Sequence, residues 1–507
     1  MTRTRRFLGG VALGYVQQAV LTLVGLWLTA FLLGRLGEGD YGLWLVATQL
    51  LGILLLLDLG VVALLPRETA FATGRAGGRA DAEELALVAG RTTRLVMWQL
   101  PAVAAFAGAA WLLLPPRWDA LREPLALVLA VFVALFPARI LQALLKGLQD
   151  LAWLGMASTA TWLAGTVCTV LLILRGDGIM ALAVGWTAQQ VLSALVWWWR
   201  LAKMFPAALP RRLASFSREQ LRDRLERSGW VSISQVANVL TAGADLLLIG
   251  KVLGPAAVVP YFCTAKVPIV LGHQVQLLAH TAQPALAELR AGGSADRIAQ
   301  ATRALMQLLL YASGLLACVV LVVNAGFVTW WVGANRYGGP LLTGTILVGV
   351  MVRHWNTAAV HGLFAFARDR RISLTSLAEG LAAVGLMVLL LPRYGTLGAA
   401  IAILVAGLFV ALPANATGLA RALGPAGRGL FRDLWPFAWR FVPLAGLAAV
   451  IGRRWPPQHL PGLVVATLAT AFVYAGLFLP LARRGPLGIY VEPRLGALRE
   501  RFGARRG

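Results

Sequence analysis

Apolar runs of about 20 residues recur from one end of this chain to the other. Each is long enough to cross a hydrocarbon core of ~30 Å as a helix rising ~1.5 Å per residue. That repetition decides the fold class. In lipid, only helices and closed barrels satisfy their own backbone hydrogen bonds. A transmembrane barrel would show alternating segments of ~10 residues, and the runs here are longer and continuous. The composition agrees, with 59% hydrophobic and 13% charged residues, against about a quarter charged in a soluble domain. The expected fold is an all-α polytopic membrane protein. Fourteen transmembrane helices are read near 8–33, 41–64, 94–114, 123–145, 151–174, 178–200, 230–252, 258–284, 304–332, 340–366, 372–391, 395–417, 437–452 and 461–482.

Charge orients these spans. With the N-terminus inside, the inner segments hold 34 of the 46 Lys and Arg residues and the outer loops nine. Away from the span ends, only Arg139, Lys266 and Arg353 fall within spans. Such asymmetry is the positive-inside pattern, and both termini are expected to be cytoplasmic. The net charge of +24 therefore sets topology and does not mark a nucleic-acid surface. The first span follows "MTRTRR" like a signal peptide, but its apolar run is too long and no small-x-small site follows, so it reads as an uncleaved span. Cys168, Cys263 and Cys318 lie far apart in apolar runs, as packing residues do.

The longest inner loop, 201–229, contains "SFSREQLRDRLERSGW". Ser217 and Gln220 have capping-box spacing, and Leu221 and Leu225 give a thin apolar face, so an interfacial amphipathic helix is expected. It separates two halves related by an internal repeat. At an offset of 216, Gln18, Thr22, Gly25, Thr29 and Gly34 fall on Ser234, Asn238, Thr241, Asp245 and Gly250. "LLGRLGEGDYG" then faces "LIGKVLGPAAVVPY", and Arg139 corresponds to Arg353 at an offset of 214. Six spans per half is an even number, so the repeat is parallel. The organisation expected is an N-lobe at 1–200, a linker at 201–229, a C-lobe at 230–420, two further helices at 421–482 and a basic cytoplasmic tail at 483–507.

Polar residues within spans carry the functional information, because a midplane charge costs roughly 2.5–3.5 kcal/mol on insertion scales. Ser234, Asn238, Thr241 and Asp245 share one face of span seven, as Gln18, Thr22 and Thr29 do on span one. In span eight, "KVPIVLGHQVQLLAH" places Lys266, His273 and His280 seven residues apart on one stripe, with Gln276 close by. Span ten holds Arg353, with His354, Thr357 and His361 on one face. Two such stripes suggest a hydrated cationic cavity. A metal is disfavoured, because seven residues is about 10.5 Å of helix, too far for one ion. Asp58, Asp245 and Glu379 are buried acids that either pair with a cation or help bind a coupling ion. Nucleotide-binding and soluble catalytic motifs are missing, so no enzyme is expected, and transport would run on a gradient or downhill.

Fourteen spans, the six-plus-six repeat, "LLGRLGEGDYGLWLVATQLLGILLLLDLG" followed by "LLPRETA", and "ADLLLIGKVLG" with "VPYFCTAK" resemble the polysaccharide-transporter branch of the multidrug/oligosaccharidyl-lipid/polysaccharide superfamily over roughly residues 5–420. The resemblance implies an O-antigen-type flippase of the bacterial inner membrane. Such proteins carry undecaprenyl-pyrophosphate-linked oligosaccharide from the inner to the outer leaflet by alternating access through a cationic central cavity. It implies Lys266, Arg139 and Arg353 as phosphate contacts and Gln18, Asn238, His273 and His280 as sugar contacts, with His354 and His361 beside them. It implies Na+ or H+ as coupling ion and no other cofactor. The lipid-linked oligosaccharide, membrane lipids and other polysaccharide-assembly proteins are the expected partners of a monomer. A lipid II flippase is the alternative, although the first two spans carry fewer arginines than that family suggests. A drug exporter would favour an acidic cavity, an oligosaccharide polymerase would need a large outer loop, and a scaffold would leave the buried charges unexplained.

Overall fold

A computed structural model describes residues 3–75, 82–210, 212–291, 295–427, 429, 434–489 and 492. Most of the basic tail at 483–507 lies outside the described residues. Among those described, helices account for all regular structure. The chain divides into two compact units, Met1–Val239 and Leu240–Gly507.

The first unit contains α1 (Arg3–Leu54), α2 (Val61–Arg75), α3 (Ala82–Leu112), α4 (Arg122–Leu135), α5 (Arg139–Gly147), α6 (Leu151–Arg175) and α7 (Met180–Met204). Helix α8 (Arg218–Ala242) crosses the boundary. The second unit contains α9 (Ala244–Val252), α10 (Val258–Ala291), α11 (Ala295–Val332), α12 (Pro340–Ala365), α13 (Asp369–Tyr394), α14 (Thr396–Ala406), α15 (Leu412–Leu423), α16 (Leu434–Arg454) and α17 (Leu460–Arg484).

Eleven described helices are long and apolar enough to cross a membrane, or twelve if α8 and α9 form one bent span. The fourteen read from the sequence are not reached by this criterion, and three places account for the difference. The first two expected spans run together as α1, broken only at Gly37 (φ 78°, ψ 179°), a conformation that a residue with a Cβ rarely adopts. Span seven is interrupted at Gly243, between α8 and α9. Helix α12 is 26 residues long but carries Arg353, His354, Asn356 and His361, and it is not among the qualifying helices.

Small residues let the helices of the first unit approach closely. A Cβ on Gly165 would stand 2.7 Å from the Gly185 carbonyl, and one on Gly185 would stand 2.8 Å from the Gly165 carbonyl. This is the small-residue contact by which membrane helices pack when no hydrophobic drive separates protein from lipid. One turn or more along, Ser193 donates to Thr161 at 2.8 Å and ties α7 to α6.

The linker departs from expectation in one respect. Its capping box forms reciprocally, with Ser217 N donating to Gln220 Oε1 and Gln220 N to Ser217 Oγ, each at 3.2 Å. The helix that it starts does not stop before span seven, however, and continues as α8 to Ala242. Its Arg224, 8% exposed, is held by Glu68 of α2 and donates to Thr92 of α3 at 3.0 Å. A buried arginine therefore docks the linker helix on the first unit.

In the second unit, α10, α11 and α12 enclose an apolar core that includes Leu305, Leu309, Leu347 and Leu363. Helices α16 and α17 pack on α11 through Phe437, Tyr474 and Phe478. The Tyr474 hydroxyl donates to the Tyr311 carbonyl at 2.8 Å. The helix backbones touch at Gly452, where a Cβ would lie 2.0 Å from the Leu321 carbonyl. Replacing Gly452 with Ala is expected to cost about 1–3 kcal/mol through overpacking. The purified variant should melt several degrees below wild type. Gly446→Ala, on the same helix with nothing within 4 Å of the new Cβ, should melt like wild type.

Candidate functional site

The first unit builds one candidate region around Arg139. Pro137 cannot donate a helix hydrogen bond, and a 3-10 turn, Phe136–Ala138, separates α4 from α5 there. Arg139 begins α5 at this break. Opposite it, the expected second span is also interrupted. The turn Leu55–Asp58 is followed by Leu59 and Gly60 at φ 49° and 71°. Asp58, 1% exposed, accepts from Gly60 N at 2.6 Å and from Arg139 Nη2 at 3.0 Å. Its carboxylate thus closes its own turn and pairs with the arginine. Arg139 lines a cleft of about 330 Å³ with Gln142, Trp186, Gln190 and Trp197.

The second unit builds a cavity of about 280 Å³ around Arg353. The break at Gly243 frees the last carbonyls of α8, and Arg353 Nη2 donates to one of them, Thr241 O, at 3.3 Å. Asp245 sits in the first turn of α9, where the helix dipole favours an acid, and accepts from Leu246 N at 2.8 Å and from the Tyr261 hydroxyl at 3.0 Å. Arg353 interacts electrostatically with both Asp245 and Glu379. The three acids expected either to pair with cations or to bind an ion therefore all have an arginine at hand.

The two units repeat one contact. In the first, the Thr29 hydroxyl meets the Tyr41 hydroxyl at 3.3 Å. In the second, the aligned Asp245 takes the hydrogen bond of the aligned Tyr261. Positions matched by the sequence repeat thus carry a similar side-chain contact in each unit.

The stripe on α10 divides. His273 and Gln276 line the Arg353 cavity. Lys266 lies with its Nζ 4.9 Å from the centre of the Phe262 ring, a cation–π contact. Half-buried Lys266 has no acidic partner among the described residues. His280 packs against His361, ring centres 5.1 Å apart and edge to face.

The histidines of α12 are mostly internal. His354 is 3% exposed and borders the cavity, but both its nitrogens are engaged, Nδ1 with Ser313 Oγ at 2.7 Å and Nε2 with Gly272 O at 2.9 Å. It therefore pins α12 to α10 and α11. His361 is buried as well. Gln18 is exposed on α1 and donates along its own helix to Thr22 at 3.4 Å, and Asn238 is exposed on α8. Neither stands in the walls of these two cavities.

Sequence reasoning missed Gln142, Trp186, Gln190 and Trp197. A signal was present, since residues 186, 190, 194 and 197 follow the i, i+4, i+8, i+11 pattern of one helix face. Tyr261 was also missed as the partner of Asp245.

The intramembrane pair offers a direct test. Asp58→Asn leaves half-buried Arg139 without its counter-charge, and breaking a buried pair costs up to about 3–5 kcal/mol. The single variant should melt well below wild type, and Asp58→Asn with Arg139→Gln should recover part of the loss. A double variant no better than the single one would contradict the pairing.

The profile of the polysaccharide biosynthesis protein family matches residues 9–289. No curated protein sequence matches this chain. Among solved structures, a lipid II flippase, MurJ, in an inward closed conformation superposes with a TM-score of 0.68 at 9% identity, covering 94% of this chain and 99% of that one. An outward-facing multidrug resistance MATE family transporter of the MOP superfamily gives 0.54 at 14% identity, with 85% and 94% covered. A MATE protein in complex with MaL6 gives 0.51 at 14%, with 85% and 96% covered. The chain belongs to the polysaccharide biosynthesis protein family and has the helical fold shared by these transporters.

Proposed function

We propose that this member of the polysaccharide biosynthesis family is a flippase for undecaprenyl-pyrophosphate-linked oligosaccharide, working by alternating access in the bacterial inner membrane with both termini cytoplasmic. One observation carries the reading. Of the three cations deep within the expected spans, Arg139 pairs with Asp58, Arg353 donates to the Thr241 carbonyl with Asp245 and Glu379 in electrostatic range, and Lys266 has no acidic partner among the described residues. A half-buried ammonium without a counter-charge is costly in an apolar setting unless an anion arrives to meet it. A pyrophosphate head group is such an anion, and its polyprenyl tail stays in lipid.

The expected division of labour shifts accordingly. Phosphate neutralisation falls to Lys266, with His273 and Gln276 of the same helix lining the neighbouring cavity. Arg139 holds the interrupted helices together through Asp58, and Arg353 does so through the Thr241 carbonyl, with Asp245 and Glu379 in electrostatic range. On this reading the acids serve the arginines first, and coupling to Na+ or H+ would have to displace them. Lipid II is the second substrate to consider. It rests on likeness of fold to a lipid II flippase, whereas the polysaccharide reading rests on the sequence family.

Reconstituted vesicles test both. Wild-type protein should translocate an undecaprenyl-pyrophosphate oligosaccharide in preference to lipid II. Lys266→Gln should slow translocation roughly tenfold or more, since a hydrogen bond to a charged group is worth about 1.5–3 kcal/mol. Lys266→Arg should retain most of the rate. Well-folded Lys266→Gln protein that flips at the wild-type rate would remove Lys266 from the mechanism, and equal transport of lipid II would favour the alternative.

A further inference from the structure

The cleft beside Arg139 has walls of a different chemistry from a phosphate site. Trp186 and Trp197 of α7 face it together with Gln190, and α5 contributes Gln142. The arginine there is already compensated by Asp58, so the cleft offers donors without a free positive charge. Two buried N–H groups on its lining residues, Arg139 Nη1 and Trp197 Nε1, have no hydrogen-bond partner among the described residues. Gln142 accepts from Lys146 Nζ at 3.3 Å through its Oε1, which leaves its amide N–H group for other acceptors.

Membrane-interface tryptophans do not explain this arrangement. Trp198 and Trp199, at the same end of α7 as Trp197, are 54% and 49% exposed, and Lys203 lies over Trp199. They fit the aromatic belt of a membrane–water boundary. Trp197 is turned into the cleft instead, as is Trp186, eleven residues or about 16 Å of helix away. Trp186 also borders a second cavity of about 210 Å³, next to Trp44 and Trp162. Indole faces, amide groups and unpaired N–H donors around one cleft match a pyranose ring. Such a ring has an apolar C–H face to lay on an aromatic and a rim of hydroxyl acceptors and donors.

We infer that the cleft between α4, α5 and α7 is a carbohydrate subsite, in which sugar rings stack on Trp186 and Trp197 while Arg139, Gln142 and Gln190 bond their hydroxyls. The spacing of the two indoles accommodates more than one ring. The inference rests on the reading of the substrate as a lipid-linked oligosaccharide, and it assigns the glycan and the phosphate to different groups: the Trp186–Trp197 cleft for the first, Lys266 for the second.

The test compares two probes on the purified full-length protein: lipid-linked oligosaccharide extracted from the cells that make it, and undecaprenyl pyrophosphate without sugar. Wild type should bind the glycosylated lipid more tightly. Trp186→Ala and Trp197→Ala should each lose tenfold or more of affinity for it and bind bare undecaprenyl pyrophosphate as before. Trp186→Phe and Trp197→Phe, which keep an aromatic face and guard against a folding defect, should retain most of the sugar-dependent affinity. Trp198→Ala should behave as wild type. If the sugar-dependent affinity survives in both folded alanine variants, the subsite is wrong while the flippase reading stands. If wild type binds neither lipid, the flippase reading fails and the subsite fails with it.

Discussion

The constraint on which this structure depends is that a charge within an apolar bundle must meet an opposite charge or a set of dipoles. Arg139 and Asp58 meet at 3.0 Å, each at a point where its own helix is interrupted. The interruptions are not defects of packing. Pro137 and the left-handed Leu59–Gly60 turn expose backbone groups, and the ion pair, together with the Asp58 bond to Gly60 N, binds the turn and the helix start to one another. Arg353 does the same for the break at Gly243, where it caps a carbonyl that the helix can no longer use. Lys266, with no acidic partner among the described residues, stands out against that background.

The internal repeat kept its frame and changed its chemistry. The equivalent pairs Thr29–Tyr41 and Asp245–Tyr261 occupy matching places, but one is neutral and the other contains an acid. Arg139 and Arg353 also correspond, yet the first takes its carboxylate from Asp58, and the second interacts with Asp245 and Glu379. The two units thus present different walls. The first has an aromatic, amide-lined cleft, and the second has a cavity with one acid, an arginine and His273.

Much of this was legible in the sequence because lipid punishes polar residues and leaves few of them to interpret. The helical class and the capping box of Ser217 and Gln220 follow from local spacing, and the structure contains both. What spacing could not give was partnership. Lys266, His273 and His280 do share a helix stripe, but that stripe is about four turns long and meets three surroundings: Phe262, the cavity and His361. The periodicity alone did not show that the three members of the stripe meet different neighbours. The number of spans was obscured by the same polar residues, since α12 is too polar to register as apolar and Gly37 breaks a helix without adding a loop. Trp186 and Trp197 went unread because tryptophan in a membrane helix is common, and only the fold separates a cleft from a belt.

The central claim is that Lys266 is the uncompensated cation that meets the pyrophosphate. It is tested most directly by the affinity of purified protein for undecaprenyl pyrophosphate, measured for wild type, Lys266→Arg and Lys266→Gln at fixed low salt. The account predicts a loss of roughly tenfold or more for the glutamine variant and near-normal binding for the arginine variant. Equal affinity for all three, in protein shown to be folded, would contradict it.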